Sequence, residues 1–132
     1  MKFNKSILAV IAFFAFSSIF AQSATDKWPQ LNNFKELLTK TFQPAEQGDL
    51  KPVKTSGEQL VIEADNIMNQ ALLKNLKNPR FNETSTLLKR KTKVLYELIS
   101  NKAPDAEIMR TFQDVHDVFQ NLLNYSEKAQ KK

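Results

Sequence analysis

Apolar residues recur every three or four positions in four separate stretches of the chain, which is the spacing of one buried face of an α-helix. The predicted helices are a first from Trp28 to Phe42, a second that opens at Pro52, a third from Thr84 to Ser100 and a fourth that starts at Pro104. The predicted apolar faces are, in chain order, Leu31, Phe34, Leu38 and Phe42; Val53, Gly57, Leu60, Ala64, Ile67 and Ala71; Leu87, Leu88, Val94, Leu95, Leu98 and Ile99; and Ile108, Phe112, Val115, Phe119 and Leu122. No alternating run of β-branched residues follows the N-terminal stretch, so no strand is predicted.

The residues that flank these stretches fit helix ends. Asp26 is the predicted N-cap of the first helix, and Pro29 lies in its first turn. Asp105 and Glu107 favour the N-terminus of the fourth helix. Long helices joined by short connections favour antiparallel neighbours, so we predict an all-α fold, an up-down-up-down antiparallel four-helix bundle. The first connection, residues 43–51, is predicted to be longer than a simple turn, and no internal repeat is visible.

Residues 1–21 have the three zones of a secretory signal peptide. Two lysines form a basic start, residues 7–16 form the apolar zone, and Ala21 is the small residue before the predicted cleavage site. An uncleaved anchor is the alternative, but the apolar zone is shorter than the roughly 20 residues that span a bilayer. We therefore predict export to the periplasm or the medium. Residues 22–132 would then form one bundle domain, with no membrane span after cleavage.

The composition of the chain argues against a disulfide-stabilised domain and against a nucleic-acid-binding protein. The chain contains no cysteine, so its stability depends on packing without the disulfide bonds that small exported domains often use. The precursor has a net charge of +5, and removal of Lys2 and Lys5 lowers it to +3. The basic residues lack the aromatic or groove-reading neighbours of a nucleic-acid site, so nucleic acid is not an expected partner.

Few side chains offer catalytic chemistry. Cysteine catalysis is excluded, and a Ser-His-Asp set has one histidine to draw on, His116. Its acidic neighbours Asp114 and Asp117 lie two and one positions away in the sequence. Residues so close along a helix lie on different faces, so we expect both carboxylates to point away from the imidazole. The Glu-x-x-His pairs of di-iron bundles and the Cys-x-x-Cys-His of covalent haem are both absent. We predict that the protein is not an enzyme, and that His116 is partly buried and hydrogen-bonded to a neighbour.

Three stretches carry a family resemblance. They are residues 28–34, with Trp-Pro-Gln-Leu and a phenylalanine; residues 41–52, with Pro-Ala-Glu-Gln-Gly-Asp-Leu-Lys-Pro; and residues 116–120, with His-Asp-Val-Phe-Gln. Together they resemble a group of small exported helical-bundle proteins of Bacteroidetes and related bacteria. That group has Phe-His in the first helix, Phe-His before Pro-Ala-Glu, and His-Asp-x-Phe-His in the last helix. The resemblance implies histidines that converge on a transition-metal or haem site.

The positions that match the family's histidines are Lys35, Gln43, His116 and Gln120. Histidine stands at one of them, so His116 is the single candidate metal ligand. Protonated lysine and glutamine are poor ligands for a soft divalent metal, and we predict weak metal binding or none, with no required cofactor. Two functions stay open. One is an exported, non-enzymatic bundle that binds an unknown protein or small molecule, and the other is a periplasmic bundle that handles a divalent transition metal or haem through a degenerate site.

Overall fold

A computed structural model of the chain describes residues 28–73 and 78–130. Its α-helices are α1 (Pro29–Glu46), α2 (Lys51–Leu73), α3 (Pro79–Ser100) and α4 (Asp105–Gln130). No strand occurs within the described residues, and the all-α prediction is confirmed. The predicted signal peptide lies outside these ranges.

The helices form a ring of four in cross-section. α1 packs on α2, α2 on α3 and α3 on α4, and sparser contacts between α1 and α4 close the ring. Within the described ranges the backbones of α1 and α3, and those of α2 and α4, do not approach each other closely, so these pairs lie on the diagonals. The connections between successive helices are only a few residues long, so sequential neighbours are antiparallel, and the predicted up-down-up-down four-helix bundle is confirmed.

The turn between α1 and α2 is a Schellman motif, in which two backbone N–H groups reach back to the last helical turn. The N–H of Gly48 donates to the Ala45 carbonyl at 3.0 Å, and the N–H of Asp49 donates to the Pro44 carbonyl at 2.8 Å. Gly48 has a φ of 93°, which only glycine adopts without strain. Because α1 continues through Glu46 with Pro44 inside it, the prediction of a loop over residues 43–51 is wrong.

The turn between α3 and α4 repeats the same motif. The N–H of Lys102 donates to the Ile99 carbonyl at 3.1 Å, and the N–H of Ala103 donates to the Leu98 carbonyl at 2.9 Å. Lys102 occupies the place that Gly48 has in the first turn, with a φ of 56°. An L-residue is strained in this left-handed conformation, so the second turn carries strain that the first avoids.

The N-terminal end of α1 is held in place by the buried side chain of Trp28. The helix begins at Pro29 with Trp28 at the N-cap position, so the prediction of Asp26 as the N-cap is wrong, and Asp26 itself lies outside the described residues. The Trp28 side chain is 3% exposed and packs on Phe81, with ring centroids 5.2 Å apart. This aromatic pair joins the start of α1 to the start of α3.

One face of each helix builds the core. The predicted faces of α2 and α4 are buried at every position whose side chain the structure describes, and only Ala71 lies outside that part. On α1 the predicted face is also buried, except that Phe42 is partly exposed. Spacing alone therefore identified the inner faces of three helices.

The start of α3 differs from its prediction. The helix begins at Pro79 instead of Thr84, because the side chain of Asn78 accepts a hydrogen bond from the N–H of Phe81 at 3.3 Å. An asparagine cap followed by proline is a strong helix start. Phe81 thereby joins the core, where it is fully buried.

The inner face of α3 includes two hydroxyl residues that an apolar pattern does not reveal. Ser85 and Thr92 are buried, and each hydroxyl donates to the carbonyl three residues earlier at 2.9 Å. These hydrogen bonds satisfy the buried oxygens. Val94, predicted to face the core, is 40% exposed, so that prediction is wrong.

The buried residues of α2 and α4 follow the same spacing, although the residue types differ. The buried positions Val53, Gly57, Leu60, Ala64 and Ile67 of α2 recur on α4, at the same spacing, as Ile108, Phe112, Val115, Phe119 and Leu122. Gly57 and Ala64 thus match Phe112 and Phe119. At two of these positions α4 therefore has a phenylalanine where α2 has a small residue.

Gly57 also lets α2 and α3 approach closely. A Cβ atom at this position would lie 3.0 Å from Ile99 Cδ1 and 3.3 Å from Tyr96 Cδ1. The two side chains of α3 therefore fill the space above the glycine, and this interface is one of the closely packed ones.

Candidate functional site

The predicted family-site positions lie on α1 and α4, whose shared seam is filled by aromatic rings. The ring centroids of Phe34 and Phe119 are 4.8 Å apart, and those of Phe42 and Phe112 are 5.3 Å apart. Rings hold helix axes further apart than small residues do. The seam between α1 and α4 is accordingly the least closely packed of the four interfaces.

His116 lies at the edge of this seam. Its ring stacks on Phe42, with centroids 4.2 Å apart and an interplanar angle of 12°, and its side chain is 32% exposed. The Nδ1 atom lies 3.5 Å from Asp117 Oδ1, at the outer limit of a hydrogen bond. The prediction of a partly buried histidine that is hydrogen-bonded to a neighbour is confirmed, with Asp117 as the partner. The expectation that Asp117 points away is wrong, whereas Asp114 pairs with Lys91 at 3.4 Å.

The ring pairs place Lys35 and Gln120 near one another along the bundle. Phe34 opposite Phe119 and Phe42 opposite Phe112 fix an antiparallel register, so Lys35 and Gln120 lie within about one helical turn of the same level. Lys35 precedes Phe42 by two helical turns and shares its face of α1. Gln120 follows His116 by one turn on α4.

Gln43 belongs elsewhere on α1. It follows Phe42 directly and is turned from it by about 100° around the helix axis. It also lies about 12 Å along the axis from Lys35, at the helical rise per residue. No hydrogen bond or ion pair joins any two of Lys35, Gln43, His116 and Gln120, all of which the structure describes. The structure thus gathers three of the four predicted positions along one seam and separates the fourth.

The donor set of the seam does not fit a stable metal centre. Structural zinc sites use four protein ligands and catalytic ones three. His116 supplies one imidazole with Asp117 beside it, while Lys35 and Gln120 offer an ammonium and an amide. Across residues 28–73 and 78–130, no three His, Cys, Asp or Glu side chains come together.

A second candidate site is an open cleft at the end of the bundle where α3 begins. It has a volume of about 610 Å³ and is lined by Asn78, Pro79, Arg80, Glu83, Thr84 and Tyr125. The Asn78 side chain fixes one wall, because Nδ2 donates to the Tyr125 carbonyl at 3.4 Å while Oδ1 caps α3. Tyr125 is partly buried and packs against the core.

The cleft presents both signs of charge. Arg80 and Glu83 are exposed on adjacent turns of α3, and neither forms an ion pair with another described residue. The sequence alone did not identify these residues. The Asn-Pro cap at residues 78–79 is the signal that sets the start of α3, but only the fold brings Tyr125 of α4 to the same place.

Comparisons with family models, curated proteins and solved structures find no match to this chain. Within the described ranges, none of the helices combines the length and the apolar character needed to cross a membrane.

Proposed function

We propose that the protein is exported and acts as a non-enzymatic binding protein whose ligand is a small molecule or a partner protein. The observation that carries the proposal is the open cleft at the start of α3, of about 610 Å³. Ligand sites in proteins commonly have volumes of roughly 300–1,000 Å³. Export is supported by the basic, apolar and small-residue zones of residues 1–21.

The composition of the core supports binding at the surface. Its faces are apolar, and the buried hydroxyls of Thr41, Ser85, Thr92 and Ser126 all donate to carbonyls of their own helices. Each buried hydroxyl is therefore already satisfied and has no donor left for a ligand. The cleft and the α1–α4 seam both carry polar groups that a ligand can reach, while Gln30 Oε1 and Glu63 Oε2 are buried without a hydrogen-bond partner within the described residues.

Export is tested by mass spectrometry of the protein recovered from cells. We expect a polypeptide that begins at Gln22, because a signal peptidase cleaves after the small residue that ends the apolar zone. Recovery of a chain with intact Met1 in the membrane fraction would overturn this part of the proposal.

Binding is tested by thermal unfolding of residues 22–132 in the presence of amino acids, sugars, nucleotides, zinc, copper and haem, each examined separately. A ligand of the folded state raises Tm in a concentration-dependent manner. We expect Arg80→Gln to remove the rise for a ligand of the cleft, and Arg90→Gln, on an exposed part of the same helix, to keep it. The binding proposal fails for the whole panel if no compound changes Tm.

A second candidate is the handling of a divalent transition metal or haem. One observation favours it, namely that Lys35, His116 and Gln120 share the seam while only His116 retains an imidazole. Titration with zinc, copper and haem separates the two functions. A degenerate site predicts weak binding that His116→Ala abolishes, and binding that is unaffected by His116→Ala would remove the seam from consideration.

A further inference from the structure

We propose that the cleft at the start of α3 binds a free α-amino acid, recognised through its adjacent ammonium and carboxylate groups. This inference rests on the proposed function, that of an exported binding protein, and names the site and the ligand class. It is carried by two unpaired opposite charges that line one cavity.

The two charges are placed to meet the two ends of a zwitterion. Arg80 and Glu83 are three residues apart on α3, so their Cβ atoms lie roughly 5–6 Å apart on one helix face. Opposite charges at this spacing often pair with each other, but no ion pair joins them here. The Arg80 guanidinium is the planar fork that suits a carboxylate, and the Glu83 carboxylate accepts from an ammonium group.

Among the other charged residues of α3, two lysines form ion pairs, whereas Arg90, Lys93 and Glu97 form none with a described residue. Lys89 pairs with Asp65 at 2.8 Å and Lys91 with Asp114 at 3.4 Å, which ties α3 to its neighbouring helices. Among the described residues, Arg80 and Glu83 are the charged ones that line the cleft. Both side chains therefore line a volume in which a small ligand would fit.

The remaining lining residues supply a polar contact and an apolar wall. The Thr84 hydroxyl makes no hydrogen bond within the described residues, although the hydroxyls of Ser85 and Thr86 both donate to the Asn82 carbonyl. Thr84 thus has a donor left for a ligand carboxylate. Pro79 and the ring of Tyr125 offer surface to an apolar side chain, and aromatic ligands pack well on such rings.

Calorimetric titration of residues 22–132 with three matched probes tests the recognition of both charges. L-Phenylalanine carries both groups, 3-phenylpropanoate lacks the ammonium group, and 2-phenylethylamine lacks the carboxylate. We expect L-phenylalanine to bind at least tenfold more tightly than either analogue, because a lost charge-assisted hydrogen bond leaves a charged group without its partner.

Matched variants assign each charge. Arg80→Gln is expected to lower the affinity for L-phenylalanine to that for 2-phenylethylamine, and Glu83→Gln to that for 3-phenylpropanoate. Both residues are exposed, so the fold is retained, and unfolding curves check this. Arg90→Gln and Glu97→Gln, exposed on α3 outside the cleft, are the controls and should change nothing.

The outcomes separate this inference from the function on which it rests. Equal binding of the three probes, or binding that Arg80→Gln and Glu83→Gln leave unchanged, overturns the zwitterion site. If L-phenylalanine does not bind while a sugar or nucleotide raises Tm in an Arg80-dependent manner, the ligand class is wrong and the binding function stands. If no probe or panel compound binds, both proposals fall.

Discussion

The two Schellman turns form a matched pair that tests how much strain a left-handed residue adds to this fold. Gly48 and Lys102 occupy the same place in the motif, with φ values of 93° and 56°. The structure predicts opposite results for two substitutions, since Lys102→Gly relieves backbone strain and Gly48→Ala introduces it. Both residues are exposed, and no atom lies within 4 Å of a Cβ built on Gly48, so side-chain packing contributes little.

The magnitudes follow from two opposing terms. A left-handed conformation costs an L-residue roughly 1–2 kcal/mol, while glycine in place of alanine costs roughly 0.5–1 kcal/mol through the entropy of the unfolded chain. At φ 56° Lys102 lies near the left-handed minimum, so its strain is at the low end and Lys102→Gly should stabilise by about 0.5 kcal/mol. At φ 93° Gly48 lies further from that minimum, and Gly48→Ala should destabilise by about 1 kcal/mol.

Urea unfolding of residues 22–132 followed by circular dichroism measures both changes, with equal m-values as the check on two-state behaviour. Lys102→Ala is the control for the lysine charge, which also interacts favourably with the C-terminal end of α3. It keeps the strained backbone, so Lys102→Gly must be the more stable of the two. The reasoning is refuted if these two variants have the same midpoint, or if Gly48→Ala is as stable as the parent protein.

Three further predictions concern the core and the seam. Phe112→Ala or Phe119→Ala should destabilise the protein by roughly 3–5 kcal/mol in urea unfolding, because both rings are fully buried. The control Ile62→Ala, at a side chain 44% exposed, should change stability by less than about 1 kcal/mol. Similar losses for the phenylalanine variants and the control would mean that the inner face of α4 is misassigned. Gly57→Val should destabilise the protein by roughly 1–3 kcal/mol, because the valine side chain would overlap Tyr96 and Ile99. Gly57→Ala should destabilise it less, since the atom nearest to the added Cβ is the flexible end of Ile99. Equal stability of both variants would contradict the close approach of α2 and α3. The double variant Lys35→His, Gln120→His should bind zinc at least tenfold more tightly than the parent protein, because the two new imidazoles complete a set of three ligands with His116. Adding Gln43→His should contribute little further affinity. If calorimetry assigns the gain to position 43, the register of the α1–α4 seam is wrong.

The inner faces of α2 and α4 were predictable because every residue on them is apolar or small and follows the helical spacing without interruption. The start of α3 was not, because its signal is a capping interaction at Asn78 and not a hydrophobic repeat. Ser85 and Thr92 can be buried on α3 because their hydroxyls donate to the backbone of their own helix. The spacing of apolar residues cannot predict such buried polar positions. Pro44 looked like a helix end, yet it lies inside α1, in the last turn of the helix, where proline's missing N–H removes one backbone hydrogen bond.

The candidate sites show the same division between local and tertiary information. One-turn spacing was enough to place His116 and Gln120 on one face of α4, but the place of Lys35 beside them depends on the register that the ring pairs of the α1–α4 seam fix. The cleft needs still more of the fold, since Arg80 and Tyr125 meet only after α3 and α4 have packed. Its chemistry therefore belongs to the assembled bundle, and no single helix of this chain carries it alone.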